Sequence, residues 1–219
     1  MISMPMTVFT KVLGGLTLGV LGGIIFYIFW QEQARFLAPT PVPEQYVAVP
    51  VGTQPDLGTW QIVPQEQSTL LHFYNPDCPC SRFNRTHLED LISTYRDSVN
   101  FVVVVQHEEG EGDLPDAFDH ARAVYDPDGK IADLCGVYST PQAILLDETG
   151  KIIYRGNYNR ARYCSTRDTW FTEMVIKAKL ADKPIPVLPA PAYQAYGCNL
   201  PSDKAVVPQQ QFSSLFFGF

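Results

Sequence analysis

Cys78 and Cys80 flank a single proline, a spacing that random placement of five cysteines seldom yields and that brings two thiols within reach of each other. Upstream, TLLHFYN (69–75) reads as a β run rich in branched and aromatic residues. Downstream, SRFNRTHLEDLISTYRD (81–97) carries Phe83, Leu88, Leu91, Ile92 and Tyr95 at near-helical spacing. The pair therefore falls where a strand hands over to a helix N-terminus. Free backbone N–H groups and the positive end of the helix dipole favour a thiolate there. Two adjacent thiols let attack on a substrate disulfide be resolved within the chain, and the small C-x-C ring favours an oxidant or isomerase over a reductant. Two other readings use the same residues. The pair could hold a soft cation, Cu(I) or Zn(II), together with His72, His87, His107 or His120, although no metal is expected, or it could be buried and inert.

The elements that must position this pair follow from the hydrophobic pattern. NFVVVVQ (100–106) is a continuous apolar run, as in a strand covered on both faces, so strand, helix and strand form a βαβ unit. TWQIV (59–63) is predicted as a further strand. HEEGEGDLPDAFDHARAVYDPDG then combines an acidic loop, a helical turn over 116–121 and a short strand ending in a DPDG turn. The acidic residues Glu108, Glu109, Glu111, Asp113, Asp116 and Asp119 lack the register of a calcium loop and read as a solvated face. KIADLCGVY (130–138) suits a short helix, QAILLDETGKIIYRG (142–156) is a hairpin turning at DETG, and 166–182 closes the domain with a helix. The predicted order β-β-α-β-α-β-β-α is mixed α/β, over residues 55–182.

Ahead of this domain, VLGGLTLGVLGGIIFYIFW (12–30) runs 19 residues without a charge, which predicts a transmembrane helix. Tyr27 and Trp30 mark its far end and Lys11 its near end, giving an N-inside orientation with the body outside. QEQARFLAPT offers no small-x-small cleavage site, so an uncleaved signal anchor is expected. Residues 1–11 read as a short N-terminal segment, the Pro-rich stretch 31–54 reads as a tether, and 183–219 reads as a Pro-rich tail ending in FSSLFFGF. A net charge of −7 makes the protein a poor binder of phosphate backbones, so no nucleic-acid partner is expected.

FYNPDCPCSRF, followed about sixty residues later by GVYSTPQAILLDETGKIIYRG, resembles the thioredoxin superfamily, in particular its membrane-tethered bacterial redoxin and thiol–disulfide oxidoreductase branch. The resemblance covers roughly 55–182 and implies a thioredoxin-like fold, a central mixed sheet flanked by helices. By that resemblance Cys78 takes the nucleophile position with Cys80 as second catalytic thiol, while Pro141 takes the position of a cis-proline facing it. The backbone of Thr140 would then pair with an extended substrate segment. It implies thiol–disulfide exchange without a cofactor on envelope proteins near the membrane, by a single-pass protein of the bacterial inner membrane whose domain faces the periplasm. Ser81 departs from the pattern, standing where the second cysteine of C-x-x-C usually lies, and Asp77 replaces the usual aromatic before the nucleophile. A thiol peroxidase is the nearest rival, but Asn75 occupies the position where that family places a Thr or Ser to hold peroxide.

Three cysteines remain. Cys135 reads as a small buried hydrophobe. Cys164 and Cys198 both lie in loop-like context, and an exported domain would oxidise such a pair, so a Cys164–Cys198 disulfide clamping the tail is the expected pairing. The competing pairing returns Cys198 to Cys78 as a resolving thiol.

Overall fold

A computed structural model describes residues 6–32, 38–110, 114–160 and 167–200, in two units, Met1–Ala38 and Pro39–Phe219. The first holds helix α1 (Met6–Glu32). Its residues Thr7–Gln31 are long and apolar enough to cross a membrane, about 37 Å at 1.5 Å per residue. The hydroxyl of Thr17 donates back to the Leu13 carbonyl at 2.9 Å, which satisfies a polar group inside an otherwise apolar helix.

The second unit is built on a five-stranded sheet of order β3-β2-β1-β5-β6. β1 (Thr69–Tyr74) leads into α2 (Pro79–Tyr95) and returns as β2 (Asn100–Val105), parallel to β1 with Tyr74 opposite Val105. β3 (Arg122–Tyr125) adds in parallel beyond β2, and α3 (Lys130–Cys135) follows. The hairpin β5 (Gln142–Leu146) and β6 (Ile152–Gly156) then lies antiparallel on the other side of β1, and α4 (Phe171–Leu180) covers it. The apolar run of β2 is sided as its continuity requires. Val103 and Val105 face the α2 and α4 layer with Leu70, Leu88, Leu91 and Ile176, whereas Val102 and Val104 face Ile131, Ala132 and Cys135 of α3 with Leu71 and Phe73. This two-sided mixed sheet is the architecture that the thioredoxin-like resemblance implies.

Three segments differ from their sequence reading. TWQIV does not pair as a strand. Gly58–Trp60 is a 3₁₀ turn closed by Gln61 in the left-handed region, and its neighbours Leu57 and Ile62 are buried one by one in the α3-side core. The stretch read as a tether packs on the domain from residue 39 onward: the Thr40 N–H donates to the Ala195 carbonyl at 2.8 Å, Gly52 N–H to Ile152, and the Tyr46 hydroxyl to Gly136. The stretch read as a tail packs as well. Leu188, Ala192 and Ala195 are buried, and the Asn157 N–H donates to the Ala192 carbonyl. At its end β7 (Cys198–Asn199) pairs antiparallel with β4 (Ser139–Thr140), Thr140 opposite Cys198. FSSLFFGF lies outside the described residues, as does Cys164.

Candidate functional site

Asn75, Pro76, Asp77 and Cys78 form the turn that joins β1 to α2. Proline at its second position presets φ, the Cys78 N–H donates to the Asn75 carbonyl at 3.1 Å, and the Asn75 side-chain oxygen accepts from the Asp77 N–H at 2.8 Å. The turn leaves Cys78 as the N-cap of α2 with Pro79 in the first helical turn, where its missing N–H leaves no helical bond unmade. Asn75 also donates from its amide to Gln106, so its side chain is committed to backbone and β2-edge partners and not directed at the sulfur.

Opposite this turn lies the loop before β5. The Thr140–Pro141 peptide is cis, and the Thr140 carbonyl oxygen sits 3.6 Å from Cys78 Sγ. Ser81 explains how the two loops are held together. The Thr140 hydroxyl donates to the Phe73 carbonyl at 2.8 Å, so Ser81 Oγ, 2.9 Å away, must donate to Thr140 Oγ1, and it accepts the Asn75 N–H in turn. Both hydroxyls are fully buried. Ser81→Ala would leave a buried N–H and a buried hydroxyl each short of a partner, and should lower domain stability by roughly 1–3 kcal/mol, read as a shift in denaturant midpoint at unchanged slope. An unchanged midpoint would show that the two loops are held by packing alone.

Cys78 is bonded to Cys198, with Cα atoms 6.0 Å apart. The expected partner of Cys198 was Cys164, and the physical reason for the difference is the β4–β7 pairing, which delivers Cys198 directly across from Thr140 and so beside Cys78. Neither does Cys78 pair with Cys80. Cys80 is buried in the first turn of α2, and the sulfurs of Cys78, Cys80 and Cys198 all lie within 4.8 Å of one another. Three sulfurs, rather than two, therefore converge on one point. Cys78 is only 2% exposed because the tail strand lies over it.

Asp77 points to solvent, with its carboxylate 3.1 Å from His107 Nε2. Of the other histidines weighed as metal ligands, His72 Nδ1 shares a 2.7 Å hydrogen bond with the Tyr158 hydroxyl, His87 stacks on Trp170 at 4.0 Å between ring centroids, and His120 lies with Arg96 and Arg122, apart from the cysteines. Among the described residues the group able to hold a metal is the three cysteines, with no histidine. Cys135 is buried as expected, and burial, ahead of the nearby Asp126 carboxylate, pushes its thiol up to about 12.

The family described as "Domain of unknown function (DUF6436)" matches residues 52–199, more than half of the chain. The chain belongs to this family. Its span ends at Asn199, so it takes in the Cys78-Pro79-Cys80 turn, Pro141 and the Cys198 strand together. No curated protein matches the chain. Among solved structures, the protein is similar to a hypothetical protein from Sinorhizobium meliloti 1021, at 19% identity and TM-score 0.55, covering 70% of this chain and 95% of that one. It is also similar to an uncharacterized conserved protein from Geobacillus kaustophilus, at 20% identity and TM-score 0.57, covering 74% and 96%. A looser likeness, at 17% identity and TM-score 0.41 over 53% and 94%, is to the thioredoxin domain of a thiol-disulfide oxidoreductase from Bacteroides vulgatus. With its β1-α2-β2 unit, its β5-β6 hairpin and a cis-proline loop beside a helix-capping cysteine, this member of the family has a thioredoxin-like fold.

Proposed function

We propose that the protein catalyses thiol–disulfide exchange on protein substrates, with Cys78 as the attacked and attacking sulfur and Cys198 as its partner. The observation that carries this reading is the Cys78–Cys198 bond at the N-cap of a 17-residue helix, directly under the Thr140 carbonyl. In the oxidised form a substrate thiolate attacks Cys78 Sγ and Cys198 leaves as thiolate, giving a mixed disulfide. A second substrate thiol then attacks its own half of that bond and Cys78 leaves. One disulfide passes to the substrate, and two electrons and two protons pass to the Cys78–Cys198 pair. The helix N-terminus stabilises Cys78 as leaving thiolate, and the reverse sequence reduces a substrate, with direction set by the difference in potential. Once reduced, the Cys78 thiol can donate to the Thr140 carbonyl, which holds the sulfur in place between cycles. Cys80 Sγ lies within 4.8 Å of both sulfurs but takes no part in this two-sulfur cycle.

The anchor completes the reading. Helix α1 is long and apolar enough to anchor the domain at a membrane, and an oxidised Cys78–Cys198 pair is favoured in an oxidising compartment, which supports a periplasmic domain acting on envelope proteins. The test is a titration of the full chain in detergent against glutathione buffers, with thiol trapping and mass mapping of linked peptides. A Cys78–Cys198 link that opens and closes reversibly is expected. A link that stays closed at reducing potentials while the domain remains folded would make it a structural staple and end the exchange reading.

A second reading is favoured by one observation, the mutual approach of three sulfurs. Reduced Cys78, Cys80 and Cys198 form an all-thiolate set suited to Cu(I), which accepts two or three sulfur ligands, better than to Zn(II), which seeks four. Retention of one Cu(I) by the reduced protein against a chromogenic chelator would support it.

A further inference from the structure

The tail strand does more than supply a sulfur. It approaches Cys78 as an extended segment, pairs its backbone with the loop before Pro141, and ends in a covalent bond to the nucleophile position. Those are the contacts that a polypeptide captured as a mixed disulfide at Cys78 would make. On the exchange reading above, we infer that Gly197-Cys198-Asn199-Leu200 stands in the substrate's place, and that the protein acts on extended segments bearing a cysteine preceded by glycine and followed two residues later by an apolar side chain.

Each element of that preference has a physical cause at the site. Gly197 has φ +147°, a region that side-chain-bearing residues rarely adopt, and a Cβ built there would lie 2.0 Å from the Thr140 carbonyl oxygen. That oxygen belongs to backbone fixed by the Thr140 hydroxyl bonds to Phe73 and Ser81, so the loop cannot give way without breaking them. Register is set on the other side of the cysteine, where the Leu200 N–H donates to the Tyr138 carbonyl at 3.0 Å. The Leu200 side chain is buried in the α3-side core and closes a small cavity lined by Phe73, Val104 and Ala132, with Gln106 and Asp126 also on its wall. An acidic residue there would be placed among apolar side chains and against the Asp126 carboxylate, with no cation to pair it. The residue between, Asn199, is half-buried and its enclosed side-chain oxygen makes no hydrogen bond, so nothing at the site selects for that side chain.

The tail also limits access. With Cys78 covered, a substrate gains the β4 edge only as β7 leaves it, so attack on Cys78 Sγ and departure of the tail are one event: the bond to Cys198 breaks as the bond to the substrate forms. An incoming segment of the same pattern replaces like with like along Ser139 and Thr140, whereas a small thiol such as glutathione breaks the bond and leaves the pairing unfilled.

The experiment uses the full chain in detergent carrying Cys198→Ser, which opens Cys78. Its partner is the peptide Gln-Ala-Tyr-Gly-Cys-Asn-Leu with its cysteine blocked as a glutathione disulfide. Formation of the Cys78–peptide disulfide, with release of glutathione, is followed by mass. The same peptide with Ala for Gly is expected to react at least about tenfold more slowly, a difference of about 1.4 kcal/mol, and so is one with Asp for Leu. Equal rates for all three peptides would overturn the proposal while leaving exchange at Cys78 intact. Failure to react with any of them, or with glutathione disulfide, would overturn the exchange reading as well. Because Cys198→Ser removes a cross-link, the unsubstituted oxidised chain is tested in parallel with the three free-thiol peptides. There the Gly peptide should displace the tail from Cys78 to the greatest extent, and equal displacement by all three counts against the proposal.

Discussion

Cys78→Ser is expected to abolish exchange, leaving a rate at least about 1,000-fold below the intact chain, because a hydroxyl at neutral pH has no population comparable to a thiolate. The informative comparison is with Cys198→Ser. Both variants lose the same cross-link, which closes a loop of 120 residues and stabilises the domain by up to about 5 kcal/mol through its effect on the unfolded chain. Any lowering of stability is therefore shared, and a difference between them reports chemistry. Cys198→Ser keeps the nucleophile and should still attack a substrate disulfide, but it lacks the sulfur that releases the product. A long-lived mixed disulfide on Cys78 should accumulate, with multiple-turnover rate falling far more than the first capture.

Cys80→Ser completes the set. The Cys78–Cys198 bond does not involve Cys80, so this variant should retain the cycle, measured as oxidation of a dithiol peptide over several turnovers with glutathione disulfide as the terminal oxidant that re-forms the bond. If instead Cys198→Ser turns over at the intact rate and Cys80→Ser stalls, the resolving thiol is the one at the helix N-terminus and the tail cysteine is a staple. The geometry argues for the first outcome, since Cys198 reaches Cys78 on a two-residue strand that can lift away, whereas Cys80 is fixed in the first turn of α2.

The parts of this site that were legible in the sequence are those written in local pattern. β1, α2 and β2 announce themselves by a branched run, a helical period and a continuous valine stretch, and the 142–156 hairpin by its DETG turn. Pro141 was legible because its flanking residues carry a family resemblance. What was not legible depends on contacts far apart in the chain. β7 is two residues, Cys and Asn, bounded by a glycine and a leucine, with no alternation to mark a strand, and only pairing with Ser139–Thr140 makes it one. Ser81 reads in sequence as a missing cysteine, yet its hydroxyl joins two loops across 59 positions. TWQIV has strand composition, but only Ile62 of it is buried, with Trp60 partly packed on the same core and Val63 exposed around a left-handed Gln61, and tertiary packing rather than propensity decides its shape. The Pro-rich flanks have linker composition throughout. Residues such as Thr40, whose hydroxyl lies 2.7 Å from that of Ser139, are tied to the site by bonds that composition does not encode.

Acidification from pH 7 to pH 5 is expected to lower the stability of the domain by on the order of 4 kcal/mol, through two histidines with no part in the exchange chemistry. His72 and His87 lie buried beside one another, around the Tyr158 ring, with His87 also stacked on Trp170. Burial, reinforced by the neighbouring His87, holds His72 down to about 3. Burial also holds His87 down to about 4, where the Glu173 carboxylate pulls upward and Arg167 pushes further down. Both folded values lie below the ~6.5 of an unfolded histidine, so as pH falls the unfolded chain takes up protons first. Their contribution is therefore complete above about pH 7 and is lost downward through 6.5 toward 4. Between 6.5 and 5 each histidine forfeits about 2 kcal/mol, at about 1.4 kcal/mol per pH unit. Asp126 acts in the opposite sense, because burial raises its carboxyl despite the N–H groups of Ala132 and Ile131, so its folded form gains a proton before the unfolded one. Two histidines outweigh one partly compensated carboxyl. Urea unfolding of the full chain in detergent at pH 7 and pH 5 reads the effect, and His87→Phe, which keeps a ring against Trp170, should roughly halve it. A midpoint that does not move between the two pH values would mean that water reaches the pair, and that the packing around Tyr158 is looser than its ring contacts imply.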